Sequence, residues 1–333
     1  MSAVLKWVWG KIYVLFFRPL YTLENIEPFW SFLNRRAKKH FKRNGTNGNA
    51  TEKRIVSELS KNGIAITSLE EFFGNGDALL KELLDFSRAQ EKVAHKHPVK
   101  PYITDFFESA PHVSLKNPFF RLALDERVLN VAGRYLGMSP KLQEFELAEI
   151  TQVPEGTEKM GSMRWHRDPH DRKLMKMFIY LFDVDNESGP FTYILGSNAV
   201  NTYWGVFPPA RPAGIYPPHG EVEKRVDAKD IFPATGTAGA VVFADTAGLH
   251  GGGYVLKGAR RMSTFGYLPP KSFSKRLVKF DAQPGDVLSP LQEFAVRGDE
   301  FLFSRELYKF LKGSMVSKKS LGMHVTGMNA GMH

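Results

Sequence analysis

No cysteine occurs among the 333 residues. That absence removes disulfides, thiolate nucleophiles, Cys-ligated zinc and iron–sulfur clusters together, so any metal must be held by histidine and carboxylate. Nothing resembles a disulfide-stapled secreted scaffold, and the cytoplasm is the default expectation. Long uncharged hydrophobic runs are also missing. The most apolar stretch, MSAVLKWVWGKIYVLFFRPLY, is cut by Lys6 and Lys11 and closed by Arg18-Pro19, whereas a spanning helix needs about 20 mostly uncharged residues. A signal peptide fits poorly too, since no long apolar core or small-residue cleavage site follows. There is no internal repeat. The length suits one large domain with appendages.

The net charge of +10 is unevenly spread, because residues 1 to 54 hold eleven Lys and Arg against three Glu. A basic arm on a near-neutral body reads as attachment to something anionic and says little about what the body does. The arm also contains Trp7, Trp9, Tyr13, Phe16 and Phe17, with six basic residues between Arg35 and Arg43. Aromatics at headgroup depth beside a basic cluster would give peripheral contact with an anionic membrane. The plainer reading is a first helix packed on the body, its basic side in solvent.

The segment KRNGTNGNA at 42 to 50 is the best linker, giving an arm at 1–50, a body at 51–285 and a helical extension at 286–333. Helices are expected at Thr51 to Lys61, from Ser68, at Asp77 to Val93 and at Asp125 to Leu136, the last capped by Gly137. A strand is expected at Gly63 to Thr67. From about residue 141 the period turns strand-like, in KLQEFELAEITQV, SMRWHRD, LMKMFIYLFDV, FTYIL, GAVVFAD and RRMSTFGYL. Short strands without intervening helices point to an antiparallel sandwich or jelly roll, mainly β with flanking helices. Asn201 to Thr235, with six prolines, reads as a lid loop over the barrel mouth. The tail from Ser289 to Lys312 returns to helix.

Within SMRWHRD, side chains two apart share a strand face, so His166 and Asp168 would point the same way. His250 follows an apolar strand in FADTAGLHGG and could be brought across from a neighbour. Two His and one carboxylate on one face of an octahedral ion leave three positions open, which suits Fe(II) oxygen chemistry. Eleven residues after His250 comes Arg261, sharing a strand face with Ser263. A guanidinium fork on a buried carboxylate is worth about 1.5–3 kcal/mol, and the pair could grip the distal end of a dicarboxylate. His170 shares the parity of the first two ligands, but the Asp-Pro turn should swing it aside. Trp165, Tyr180, Tyr193 and Trp204 are candidate pocket walls or ordinary core.

WHRD at 165 to 168, FIYLFDVDNESGPFTYILGSN at 178 to 198 and LHGGGYVLKGARRMS at 249 to 263 resemble the phytanoyl-CoA dioxygenase family of iron(II) and 2-oxoglutarate oxygenases, over roughly Lys53 to Pro270. The resemblance implies a double-stranded β-helix, with His166, Asp168 and His250 as iron ligands and Arg261 with Ser263 as the 2-oxoglutarate anchor. It implies dioxygen as a further cosubstrate, succinate and carbon dioxide as products, and ascorbate as a supporting reductant. Asp168, where a halogenase would have a small residue, implies hydroxylation. Asn198 departs from the family, which often has His there; that position is not a ligand.

A nucleic-acid demethylase would explain the charge, but such enzymes resemble a pattern with a second arginine six residues after the first, and here that position is Tyr267. No nucleic acid is expected. The substrate reads as a small molecule or a lipid- or glycan-linked one, with Arg211, His219 and Lys224 in the lid able to meet an anion. The competing reading is a non-catalytic jelly-roll binding protein at a membrane surface, which has no reason to keep three ligands and an arginine.

Overall fold

The computed structural model describes residues 22–23, 26–97, 100, 102–107, 111–209 and 216–299. The described chain opens with α1 (Glu27–Leu33), α2 (Arg35–Asn44), α3 (Ala50–Asn62), β1 (Ile64–Ser68), α4 (Leu69–Phe73) and α5 (Gly76–Gln90). Short strands β2 (His95–Lys96), β3 (Ile103–Asp105) and β4 (His112–Val113) lead to α6 (Pro118–Ala123) and α7 (Glu126–Leu136). Then come β5 (Lys141–Thr151), β6 (Met175–Tyr180), β7 (Phe191–Ile194), β8 (Ile231–Ala234), β9 (Ala240–Ala244), β10 (His250–Gly252), β11 (Ala259–Leu268), β12 (Lys279–Phe280) and α8 (Pro290–Arg297).

The helix boundaries have local causes. At the start of α3, Asn49 accepts from the Glu52 backbone N–H while the Glu52 side chain accepts from Asn49, a reciprocal cap, and the helix ends at Gly63 with φ 81°. Gly137, at φ 75°, closes α7 as its sequence position implies.

A wide sheet in the order β1-β9-β6-β11-β5-β3-β2 faces a narrow one in the order β10-β7-β8. Apart from the parallel β12–β4 pair, the described pairings are antiparallel. Period-two alternation gives the wide sheet two distinct faces. Phe145, Leu147, Met177, Ile179, Phe265 and Tyr267 join the helices in the larger core. Phe178, Tyr180 and Val242 turn the other way, onto Phe191 and Tyr193 of the narrow sheet. This is the jelly-roll, double-stranded β-helix architecture.

Three expectations change. Residues 162–168 are not a strand: a 3-10 turn at Gly161–Met163 precedes one isolated bridge at His166. The lid stretch contains β8, whose Pro233 lies on a sheet edge, where its missing N–H costs no ladder bond. The helix expected from Ser289 to Lys312 runs over Pro290–Arg297, and residues from 300 on lie outside the described ones, as do Met1 to Tyr21.

The stretch read as arm and linker lies against the body from α1 onward. Trp30 Nε1 donates to Asp171 at 2.9 Å, and Phe41 fills the space above Gly133, where a Cβ would come within 2.2 Å of its ring. Thr46 N–H donates to Asn130 Oδ1 at 3.0 Å, and Asn130 Nδ2 donates to Thr46 Oγ1 at 2.7 Å and also to Glu52. Asn130→Ala strands a buried carboxylate and a backbone N–H, which costs about 1–3 kcal/mol. We expect an earlier urea midpoint of that size, whereas an unchanged midpoint shows that residues 45–49 are not held this way.

Candidate metal centre

Two backbone hydrogen bonds assemble the site. His166 N–H donates to His250 O at 2.8 Å and His250 N–H returns to His166 O at 3.0 Å. A third, from Asp168 N–H to Thr246 O at 2.8 Å, fixes the carboxylate-bearing residue to the same loop. His250 opens β10 opposite Tyr193, so the narrow sheet is the platform for both histidines. The lone bridge does what a full strand was expected to do, bringing His166, Asp168 and His250 together with one ligand atom each, all within 4.8 Å of one another.

Each ring is oriented from behind. His166 Nδ1 lies 2.9 Å from Arg164 O and His250 Nδ1 lies 3.0 Å from Gly248 O, so Nδ1 bears the proton and Nε2 presents its lone pair. His166 Nε2 is 3.8 Å from Asp168 Oδ1 and His250 Nε2 is 3.9 Å from Oδ2, gaps that a cation between them would fill. Burial lowers both histidine pKa values, against the pull of Asp168, that of His250 to about 3. Burial opposes charge on Asp168 as well, but Lys176 and the histidines outweigh it and hold the carboxyl well below its usual range. Lys176 Nζ stands 3.1 Å from Asp168 Oδ2 and 2.7 Å from Glu144 Oε1; the two carboxylates keep it charged in spite of burial.

The triad lines a cavity of about 730 Å³ between the sheets. Here the structure departs from the sequence reading. Arg261 and Ser263 face the helices: Arg261 donates to Glu149 at 2.8 Å, Ser87 at 3.1 Å and Glu91 at 2.9 Å. Ser263 sits between Leu147 and Ile179 of the helix-side core. The cavity receives the alternate residues of β11, Arg260, Met262 and Thr264. Arg260 is 1% exposed, and its Nε and Nη1 have no hydrogen-bond partner among the described residues. Burial lowers its pKa, with no carboxylate in contact to offset the cost. An arginine doublet hides this choice, because one step of register exchanges the two faces. The apolar Phe265 and Tyr267 on the face of Arg261 were the available signal that this face is core.

Sequence reasoning also missed Lys176, Glu144 and Glu146. Glu146 opposes Thr264 and is open to the cavity, while surrounding protein and Glu144 push its carboxyl up to about 7. Arg167, between two triad residues, points the other way and is 1% exposed. It donates to the carbonyls of Ser197, Tyr203, Trp204, Val206, Phe207 and Ala247.

Other candidates lie apart from the triad. His170 is turned aside onto Ser274 Oγ at 2.8 Å. Asn198 is buried and donates to Leu59 O at 3.0 Å. Tyr180 and Tyr193 are core residues bonded to Ala234 O and Asp245 O, Trp165 bonds Glu223, and Trp204 lies under Arg167. Lys224 pairs with Glu221 on the surface, and Arg211 is outside the described residues. Tyr216, also in the lid stretch, stacks on His166 with ring centroids 5.6 Å apart.

No family model matches the sequence, and no curated protein does. Among solved structures, the epimerase SnoN in complex with Fe3+, alpha ketoglutarate and nogalamycin RO superposes with a TM-score of 0.51 at 16% identity, covering 72% of this chain and 93% of that one. EctD from S. alaskensis with 2-oxoglutarate and 5-hydroxyectoine gives 0.49 at 16%, covering 77% and 88%. HygX from Streptomyces hygroscopicus with nickel, 2-oxoglutarate and hygromycin B gives 0.44 at 20%, covering 67% and 89%. At such identity the likeness to SnoN is one of fold.

The lowered histidine pKa values set a pH expectation. Two free imidazoles of pKa about 6.5 would be protonated in competition with metal, weakening it roughly 15-fold between pH 7.5 and 6.0. Imidazoles already held neutral avoid that competition. Ni(II) titrated calorimetrically into the metal-free protein should therefore change its dissociation constant by less than about 3-fold over that range. A fall near the free-imidazole value contradicts the burial argument.

Proposed function

We propose that this chain is a non-haem iron(II) and 2-oxoglutarate-dependent oxygenase that hydroxylates a C–H bond of a small-molecule or lipid- or glycan-linked substrate. One observation supports it above the others: a buried guanidinium without an anion faces the same cavity as a His-Asp-His triad. An arginine left unpaired in the interior is costly, and a ligand carboxylate is the partner that removes the cost. The donor set fits the metal as well, since neutral imidazoles and one carboxylate with open positions suit iron(II). The fold shared with SnoN, whose structure holds Fe3+ and alpha ketoglutarate, is in keeping with this reading.

In this reading His166, Asp168 and His250 hold iron, and Arg260, in place of the expected Arg261 and Ser263, holds the distal carboxylate of 2-oxoglutarate. When bound, iron would let dioxygen act as a four-electron oxidant, two electrons coming from 2-oxoglutarate as it goes to succinate and carbon dioxide and two from the substrate C–H that becomes C–OH. The chain's own residues do the positioning. Lys176 steadies the Asp168 carboxylate, the Arg164 and Gly248 carbonyls fix the rings, and Phe178, Phe191 and Met262 exclude water from the cavity. His95, His97, Lys100, Asp105 and Glu146 place polar groups among the apolar lining residues, which suits a substrate that carries both an apolar body and hydrogen-bonding or charged groups. Membership of the phytanoyl-CoA dioxygenase family rests on the three motifs. We place the protein in the cytoplasm.

The test is succinate formation from 2-oxoglutarate under air with Fe(II) and ascorbate. Wild type should turn over slowly without substrate, and His166→Ala should be silent. Arg260→Ala should weaken 2-oxoglutarate roughly 10- to 150-fold, the equivalent of about 1.5–3 kcal/mol. Arg261→Ala should leave that affinity unchanged and lower the melting temperature. If Arg261→Ala abolishes binding and Arg260→Ala does not, the anchor assignment is wrong. If wild type neither binds Fe(II) nor consumes 2-oxoglutarate, the binding-protein alternative replaces the enzyme.

A further inference from the structure

Helix α2 has two incompatible sides. Ala37 and Phe41 are turned to the body, where His40 stacks on Phe294 of α8 at 4.4 Å and Phe41 lies over Gly133. Arg35, Arg36, Lys39, Lys42 and Arg43 are all exposed. At 100° per residue these five occupy an arc of roughly 120° on the outer side. No acidic residue occurs between Glu27 and Glu52. Among the described residues, Arg36 alone of the five has an acidic partner, a loose 3.6 Å contact with Asp299. A solvated helix face of ordinary composition mixes both signs, and this one does not.

The charges do not stand alone. Leu23, Ile26 and Phe32 are among the large apolar side chains most open to solvent, at 39%, 48% and 59% exposure. They sit just ahead of the basic arc, and Arg35 lies over the Phe32 ring at 4.4 Å. Isolated exposed apolar residues need no explanation, but three of them beside a basic face with a single acidic contact among the described residues form a surface with two affinities. A nucleic-acid groove would use the charges and leave the aliphatic residues in water. A bilayer interface uses both, taking apolar side chains at acyl depth and cations at its headgroups.

We propose that the exposed basic side of α2 (Arg35, Lys39, Lys42 and Arg43), together with Phe32 of α1 and with Leu23 and Ile26 just ahead of α1, docks the protein on a bilayer that carries anionic headgroups. The proposal is independent of the oxygenase reading. The body-facing contacts of α2 hold this face rigid, so the enzyme would be presented to the membrane in one orientation.

Sedimentation of the full chain with vesicles of phosphatidylcholine alone, or of phosphatidylcholine and phosphatidylglycerol at about 7:3, tests it. Wild type should partition onto the acidic vesicles at least about 10-fold more strongly and be released by 0.5 M salt. Lys39→Ala/Lys42→Ala/Arg43→Ala should lose roughly 100-fold of that partitioning. Phe32→Ser should weaken it even where the charges are intact. These side chains are solvent-facing, so the variants should melt as wild type and form succinate at the same rate without vesicles. Equal partitioning onto both vesicles, no partitioning, or a triple variant that binds as wild type overturns the proposal. So does tighter binding of a 20-base-pair DNA duplex that the triple variant abolishes, which would make this a nucleic-acid face.

Discussion

The bridge between His166 and His250 is the constraint on which the site depends. Two reciprocal backbone hydrogen bonds bring the carboxyl-side end of one loop against the start of β10, and the two imidazoles are delivered as a consequence of that pairing. Each ring is then locked by a carbonyl two residues earlier in its own segment. The geometry is therefore a property of main chain more than of side chains. It is also local, since the narrow sheet behind it need only keep β7 and β10 in register.

Around that bridge the interior is more charged than a jelly-roll core can tolerate without pairing. Asp168, Lys176 and Glu144 form a chain of alternating sign in which the one ammonium pairs with both carboxylates. Gly266 makes room for it: a Cβ there would lie within 2.8 Å of the Glu144 side chain. Arg260 has no such relief among the described residues. The contrast separates charges paired within the fold from one that is not.

Much of this was legible in the sequence and part of it was not, for physical reasons. The strand series from Lys141 to Leu268 and the helices at 50–62 and 126–136 announce themselves by period and caps. The triad was legible because its residue types and order are rare in combination. Arg260 was not, because both faces of β11 are buried and the polar-apolar alternation that would orient a surface strand is missing. His166 and Asp168 converge although no strand holds them, so the expected convergence arises from a local structure other than the expected one. Lys176 was invisible for another reason: a lysine in an apolar run signals a partner, but not which one.

Arg167 has a mechanical consequence. Its guanidinium gathers carbonyls from Ser197, from the 203–207 stretch and from Ala247, with no anion among them. Positive charge shared over many dipoles is released only when most of them let go together, so the arrangement behaves as a rivet and not as a hinge. Any displacement of Tyr203 to Phe207 is thus transmitted to the peptide unit joining His166 to Asp168. The 203–207 stretch and the backbone of the triad are thereby fastened into one piece, on the side of Arg167 that faces away from the cavity.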